Sequence, residues 1–531
     1  MPCEALPVEL EQHILSYLKD DIPSLRSCAL TCHRWVYSTQ RYLFAKVQLD
    51  FRHVPFPSQA NPPDRFCQLL LSSPRISAYV RELSIVIAHG MEDQDLHRLT
   101  EILQVCLPLL RHLRGINLGR GSTTSGSSGG GGGRLNSVIS STTTSVTTAI
   151  PCPTTSSVSE PGIRPKGYIW PVSWSFIPSA VRNELRTAFR SQSLVHIRLA
   201  HMRGIPLSVL ALAGCPLLEG LVLEDVTFSG ALEGGGTGGE TVDWDASAAA
   251  QAQRRPRDSV LQSQRRPLKM LRLELAEPAF HAFAQWATND DCPLDISSVQ
   301  HMSLTMPKQY STHGGINALL SECADSLRTF CCRLEVQAIG VNHDAVTSPL
   351  DVSALHNLRT LRLAMCRPRQ KKTGAAMILF NNFKNFIPNV LAQLEPATHG
   401  LLDEVSVKLD VGEWKTATDI REAAQRIRVH MLDRRDRDDD DDDERRESGT
   451  TAKFANLRKM KWFVAGNEAL RAALADGLQA TPLPSGCQYA ADSEEGSERV
   501  VEVRPCDTAD SPGYLDCAEE EEDTFATFAI F

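Results

Sequence analysis

The chain has no surplus of positive charge: 55 lysines and arginines stand against 64 acids, a formal net charge of −9. A dedicated nucleic-acid binder carries a basic field, so this balance argues against DNA or RNA as the partner. No apolar run approaches the ~18–20 residues needed to span a bilayer, and no membrane contact is expected. The 15 cysteines include no C-x-x-C pair and no evenly spaced framework. Their count is odd and no signal peptide precedes them, which predicts reduced thiols and a cytoplasmic and/or nuclear location.

Catalytic signatures are equally scarce. There is no G-x-x-x-x-G-K-[ST] loop to cradle phosphates and no H-E-x-x-H to hold a catalytic zinc. GSSGG at 126–130 fits G-x-S-x-G formally, but it lies in a low-complexity tract without the strand and helix that a nucleophile elbow requires. Cys28, Cys32 and His33 are close in sequence, yet two cysteines four apart on a helical face read as small buried hydrophobes rather than zinc ligands. Cys331-Cys332 falls within a strand-like phrase and lacks the positive, accessible setting of a nucleophile. The expectation is a chain with no catalytic residue, no metal and no cofactor.

Several segments lack the apolar content to pack. Positions 119–165 are Gly/Ser/Thr-rich and read as a disordered linker; about 229–267 and 433–450 read as disordered insertions, and 484–531 as an acidic tail with EEEED at 519–523. Basic clusters at Arg254–Arg257, Arg265-Arg266 and Arg367–Lys372 read as solvated loops, with nuclear import as the sharper alternative. The Asp438–Asp443 run reads as solvating, or as a lure for a basic partner. Hydrophobic residues make up 42% of the chain, which leaves enough for a substantial core.

The rest of the chain repeats a phrase. VRELSI at 80–85, LRGINL at 113–118, LVHIRL at 194–199, LEGLVL at 218–223 and LKMLRL at 268–273 are followed by VQHMSL at 299–304, LRTFCC at 327–332, LRTLRL at 358–363, LDEVSV at 402–407 and LRKMKW at 457–462. The first, fourth and sixth positions are apolar, with sulphur or Trp substitutions at the last; the final two alternate as in a short half-buried strand. Helix-like stretches lie between, at 91–110 with Leu96, Leu99, Leu103 and Leu107 on one face, at 205–218 and at 316–326. Where no insertion intervenes the period is 24 to 33 residues. One strand and one helix per ~20–30 residues is the signature of a leucine-rich solenoid. Most repeats lack the Asn or Cys that caps the turn after the strand, so an irregular solenoid of about ten strands is predicted over 51–118 and 166–483. The competing reading is an ordinary α/β domain.

The first 50 residues differ. Leu6-Pro7 fits a helix start, and Leu10, Ile14 and Leu18 form one stripe. Lys19-Asp20-Asp21 breaks it and Pro23 restarts it. Leu25, Cys28, Ala29, Cys32 and Val36 then give a second stripe, and Tyr42, Leu43, Phe44 and Val47 a third apolar group. Three short helices bury little alone, so such a unit wants a partner.

The run LPVELEQHILSYLKDDIPSLRSCALTCHRW resembles the F-box, a three-helix module that docks on the adaptor Skp1. The match rests on Leu6, Pro7, Glu9, Leu10, Ile14, Leu18, Asp21, Leu25, Cys32, Arg34 and Trp35 in order; Thr31, His33 and an insertion-like turn at Ile22-Pro23 depart from the pattern. An F-box ahead of leucine-rich repeats is similar to a class of substrate receptors with irregular versions in fungi. The fold implied is α/β: an N-terminal three-helix F-box module (1–50) followed by an irregular leucine-rich-repeat-like solenoid with disordered insertions. The resemblance implies Skp1 contact at or behind Leu6, Pro7, Leu10, Ile14, Leu18, Leu25 and Trp35. Through Skp1 it implies a cullin-RING (SCF-type) ubiquitin ligase, with an unidentified target protein held by the repeats. The alternative is a leucine-rich scaffold or regulatory protein acting outside a ubiquitin ligase.

Overall fold

The computed structural model describes residues 7–31, 33–51, 62–88, 91, 93–119, 171–211, 217–229, 266–290, 292–306, 313–335, 350–366, 386–387, 389–395, 397–410, 421, 425, 457, 459–465 and 500–505. Leu6, Cys32, the linker at 120–165, the insertion cores at 230–265 and 433–450, and most of 484–531 lie outside them.

Three helices open the chain: α1 (Val8–Tyr17), α2 (Ile22–Thr31) and α3 (His33–Leu43). Strand β1 (Lys46–Asp50) follows directly. After it come α4 (Pro62–Ser72), α5 (Pro74–Ser77), β2 (Glu82–Val86), α6 (Asp93–Leu109), β3 (Gly115–Gly119), β4 (Val172–Ser173), α7 (Ser179–Phe189), β5 (His196–Pro206), α8 (Leu207–Ala211) and β6 (Gly220–Ser229). The remainder comprises β7 (Arg266–Pro267), β8 (Met270–Glu274), α9 (Glu277–Ala287), β9 (Leu294–Asp295), β10 (His301–Met306), α10 (His313–Glu322), β11 (Thr329–Glu335), β12 (Thr360–Cys366), β13 (Glu404–Asp410), β14 (Lys459–Ala465) and β15 (Val500–Pro505).

Twelve strands form one parallel path in chain order, β1-β2-β3-β5-β6-β8-β10-β11-β12-β13-β14-β15, with β4 added beside β5. The fold is thus α/β: helices at the N-terminus, then a parallel sheet with helices between its strands. Each of the ten repeated phrases coincides with a strand that begins at its third residue. The leading residue sits just before the strand and is buried: Leu113, Leu194, Leu218, Leu268, Leu327, Leu358 and Leu402 are all nearly inaccessible. In the first nine phrases the fourth and sixth positions then point into the core. The register lines up Leu83, Ile116, Ile197, Leu221, Leu271, Met302, Phe330, Leu361 and Val405 as one row, and Ile85, Leu118, Leu199, Leu223, Leu273, Leu304, Cys332, Leu363 and Val407 as a second. Burying each such leucine side chain contributes roughly 1.5–3 kcal/mol.

The backbone repeats as regularly. Ala45 O accepts the N–H groups of both Arg81 and Glu82 at 2.8 and 2.9 Å. The same double bond recurs from Arg81 O to Arg114 and Gly115, from Arg114 O to Val195 and His196, and from Val195 O to Glu219 and Gly220. It continues through Glu219, Lys269, Gln300, Arg328 and Arg359, where the last carbonyl takes Asp403 and Glu404. The turn-capping Asn or Cys missing after most strands has a counterpart before some of them. Ser193 Oγ donates to Leu113 O at 2.9 Å, Ser326 Oγ to Val299 O at 2.7 Å, and Asn357 Nδ2 to Asp325 O at 2.6 Å. Each ties one turn to the previous one.

The second apolar stripe, Leu25 to Val36, is carried by α2 and α3, on either side of position 32, which lies outside the described residues. Three features differ from the sequence reading. Ile22-Pro23 is not a turn; it opens α2, where proline's missing N–H falls among groups with no intrahelical partner. The third apolar group is the end of α3 plus β1, an edge strand of the sheet, with Phe44 and Val47 packed on the main core. Strands also reach into segments read as unfolded: Ser229 ends β6, Arg266–Pro267 pair with Leu294–Asp295, and Val500–Pro505 form β15 inside the acidic tail.

Candidate functional site

Pro7 precedes α1 with an extended backbone, and its carbonyl accepts the N–H of Glu11 at 3.1 Å, the first bond of the helix. At the start of α2, Asp21 takes the Ser24 N–H at 3.1 Å and the Ser24 hydroxyl at 2.5 Å. These side-chain and backbone hydrogen bonds hold the Asp21 carboxyl below its ordinary range. It is an N-terminal cap of the kind that satisfies otherwise orphaned donors.

The three helices have an inside. Leu15 on α1 and Leu25 on α2 are fully buried, and Glu11 one turn before Leu15 is nearly so. Arg34 at the start of α3 reaches Glu11 Oε1 at 3.1 Å. Thr39 Oγ1 on α3 is also buried and donates to Trp35 O at 2.7 Å. Trp35 and Leu18 are part-buried.

They also have an outside. Leu10 is 50% exposed, Ile14 41% and Tyr17 76%, and their i, i+4, i+7 spacing puts them on one face of α1. Val8 on α1 and Leu30 on α2 are exposed as well, Leu30 almost completely. Scattered apolar residues on a surface mean little, but three on one face of a ten-residue helix leave a stripe with nothing against it among the described residues. His13 lies beside this stripe, its ring edge-on to Tyr17 with centroids 4.9 Å apart.

Of the residues singled out by sequence, Pro7, Leu10 and Ile14 therefore lie on the surface. Leu18 and Trp35 lie between surface and core, Leu25 is wholly interior, and Leu6 is outside the described residues. The reading missed Val8, Tyr17 and Leu30. Tyr17 had a usable signal, being seven residues after Leu10 on the same helical face.

The module is joined to the sheet without a linker. Only Phe44 and Ala45 separate α3 from β1, and β1 pairs with β2 from Lys46↔Glu82 to Asp50↔Val86. Lys46 and Glu82 also form an ion pair at 3.7 Å, and burial raises the Glu82 carboxyl in spite of that cation. Arg75 of α5 sits 4.5 Å over the Tyr37 ring of α3. The stripe on α1 is thus carried at a set angle to the sheet.

The sheet's second face is the other surface of note. Positions alternating with the core rows carry Arg198, Val222, Arg272, Ser303, Cys331, Arg362 and Ser406 in one register row. Glu224 accepts from Arg198 at 2.7 Å and pairs with Arg272 at 3.4 Å, while Glu404 pairs with Arg362 at 3.8 Å. Burial pushes the thiols of Cys331 and Cys332 up, and that of Cys323 up to about 12. A raised thiol is a poor nucleophile at neutral pH. Among the described residues no three His, Cys, Asp or Glu side chains are grouped to hold a metal ion, and no helix is long and apolar enough to cross a membrane.

Residues 3–47 match the F-box-like family, so the helical module is an F-box-like domain at the N-terminus of the chain. F-box proteins are typically non-catalytic adaptors, and the domain in general implies Skp1 binding. No curated protein matches the chain.

Proposed function

We propose that this chain is the substrate-receptor subunit of an SCF-type ubiquitin ligase. Its F-box-like domain docks Skp1, and through Skp1 a cullin-RING assembly, while the open face of the sheet holds a target protein. The observation that carries the reading is the unpartnered stripe Leu10, Ile14, Tyr17 on α1 of a domain that matches the F-box-like family. Apolar anchors with an aromatic at helical spacing are what dominate a helix-in-groove interface. Pro7, Leu18 and Trp35 border that contact, and Leu25 supports it from behind.

We read the remainder as an irregular leucine-rich solenoid. Strands that follow one another in chain order, a repeated phrase in ten of the twelve and a doubly engaged carbonyl at each step from β1 to β13 support this. In such a receptor the chain itself breaks and makes no covalent bond. It raises the effective concentration of a target lysine near an activated ubiquitin carried by other subunits.

The test is co-purification of the tagged full chain from cells, with Leu10→Asp/Ile14→Asp as the control. Recovery of both Skp1 and a cullin with the parent chain, and of neither with the variant, is the expected result. Skp1 without any cullin would overturn the ligase and leave the scaffold reading in its place. Equal Skp1 recovery with the variant would overturn the interface.

A further inference from the structure

The turns that lead into β1, β2, β3 and β5 meet at one corner of the sheet. Arg81 O takes the Arg114 N–H at 2.7 Å, and Arg114 O takes the Val195 N–H at 2.7 Å. Side chains tie the same turns together. Arg81 Nη1 donates to His112 O at 3.3 Å, and Ser193 Oγ to Arg111 O at 3.0 Å. Residues 41–46, 78–82, 110–115 and 190–196 make up this corner, with five arginines and one lysine against one carboxylate, Glu82. That carboxylate is 20% exposed and already faces Lys46 at 3.7 Å.

The five arginines are Arg41, Arg81, Arg111, Arg114 and Arg190. Arg81 is half-buried and the other four are exposed. Among the described residues no carboxylate pairs with Arg41, Arg81, Arg111 or Arg190. Burial, and then the charges of Arg114 and Arg41, hold the Arg81 guanidinium below its ordinary value. Like charges held side by side without a counter-charge repel one another, and an anion seated among them relieves that repulsion. The patch is also bounded. At the next two steps along the sheet Glu219 and Lys269 meet at 2.6 Å and cancel.

Its width selects the ligand. The strands β1, β2, β3 and β5 are successive neighbours, so the corner spans roughly 14 Å. A single anionic group meets one guanidinium of that row. Alternate side chains of an extended peptide stand roughly 7 Å apart, so three of them cover it. Guanidinium takes carboxylate in two parallel hydrogen bonds. A long polyanion such as nucleic acid would also meet the rest of a chain whose net charge is −9, which repels it.

We propose that this corner docks a short acidic segment of a partner protein, its glutamate or aspartate carboxylates taken by Arg41, Arg81, Arg111 and Arg114. Arg41 belongs to α3, and the other three to the turns before β2 and β3. The docked segment therefore bridges the helical module and the first strands. This site uses no residue of the α1 stripe and stands whether or not the F-box-like domain binds Skp1.

The experiment follows the fluorescence anisotropy of a labelled peptide of alternating glutamate and serine, titrated with the intact chain at low salt. The same peptide with glutamine for glutamate is the reference. The glutamate peptide should bind about tenfold more tightly or better, and added salt should weaken it. Arg41→Gln, Arg81→Gln and Arg111→Gln together should cost about tenfold in that affinity with the thermal midpoint as in the parent, because no ion pair is broken. Arg26→Gln, Arg65→Gln and Arg203→Gln remove the same charge from other exposed positions and should change it less than about twofold. Equal affinity for the two peptides, or equal losses in the two variants, would overturn the proposal. So would an oligothymidylate of the same length that binds more tightly than the glutamate peptide and is lost in the corner variant, since the corner would then be a nucleic-acid site.

Discussion

The Glu11 carboxylate and the Arg34 guanidinium meet at 3.1 Å between α1 and α3, the glutamate sunk and the arginine part-exposed. This pair sets how α1 lies on α3, and therefore where the stripe Leu10, Ile14, Tyr17 points. Removing one partner of a buried pair leaves the other charge uncompensated, which costs more than the pair contributes. Arg34→Ala should cost the helical module about 1–3 kcal/mol, and Glu11→Gln less, since an amide can still accept from Arg34. Amide hydrogen exchange over residues 8–43 of the full chain measures both. Unchanged protection in Arg34→Ala would show that the pair is ornamental.

Surface and core of the same module should separate cleanly. Leu10→Asp and Ile14→Asp change exposed side chains, so exchange protection stays as in the parent, and under the proposed function Skp1 affinity falls by about 2–3 kcal/mol, on the order of 100-fold. Leu25→Ala empties a fully buried site and should destabilise the module by about 2–5 kcal/mol. Titration calorimetry beside exchange data distinguishes the two classes. A Leu10→Asp chain that unfolds would mean the stripe is core after all.

Gly119 ends β3 where the next strand comes unusually close. A Cβ there would stand 2.2 Å from Ala200 O and 3.1 Å from the Ala200 side chain. The obstacle is backbone and cannot swing aside, so Gly119→Ala should cost about 1–3 kcal/mol by overpacking, whereas Gly220, whose nearest neighbours are the His196 and Met270 side chains, should accept alanine at smaller cost. Thermal unfolding of the two variants tests the ranking.

The pH response should include a histidine contribution. Burial first, and then the Arg328 charge, depress the pKa of His301 below its ordinary 6.5; burial alone depresses that of His281. The folded chain therefore keeps these rings neutral while the unfolded chain takes up protons. Unfolding gains protons as pH drops below about 6.5, so stability falls with pH there and stops falling below the folded-state pKa values. Urea midpoints between pH 7 and pH 5 should show that slope, reduced in His301→Gln. A midpoint that rises on acidification through this range would reverse the assignment.

Much of the sheet was legible because its signal is local. The leucine opening each phrase, its partners three and five residues on, and the stripe Leu99, Leu103, Leu107 in α6 each need only a few neighbouring positions to be recognised. Strand β15 was hidden by composition: Val501 and Val503 are spaced two apart and pair in register with Met460 and Trp462, but the surrounding acids masked them. β1 was hidden by adjacency, since Val47 and Leu49 follow a helix with almost no break. The site was legible by residue type but not by direction. Leu10, Leu15 and Leu25 are the same amino acid, and only the packing of α1 and α2 against α3 decides which faces water. The cluster of Arg198, Glu224 and Arg272 spans 74 residues of sequence and exists only because β5, β6 and β8 are laid side by side in register.

The carbonyl staircase from Ala45 to Arg359 has a mechanical consequence. Every step engages only its neighbours, and the strands lie in chain order, so tension applied between the two ends of the sheet loads one strand interface at a time rather than all of them in shear. Such an array yields by peeling, in short increments of one strand with its helix, and each increment exposes two hydrophobic rows of the next. Under load the chain should unravel in a sawtooth of small force peaks spaced by repeat length, with the helical module, clamped to β1 through Ala45, lost together with the first strand.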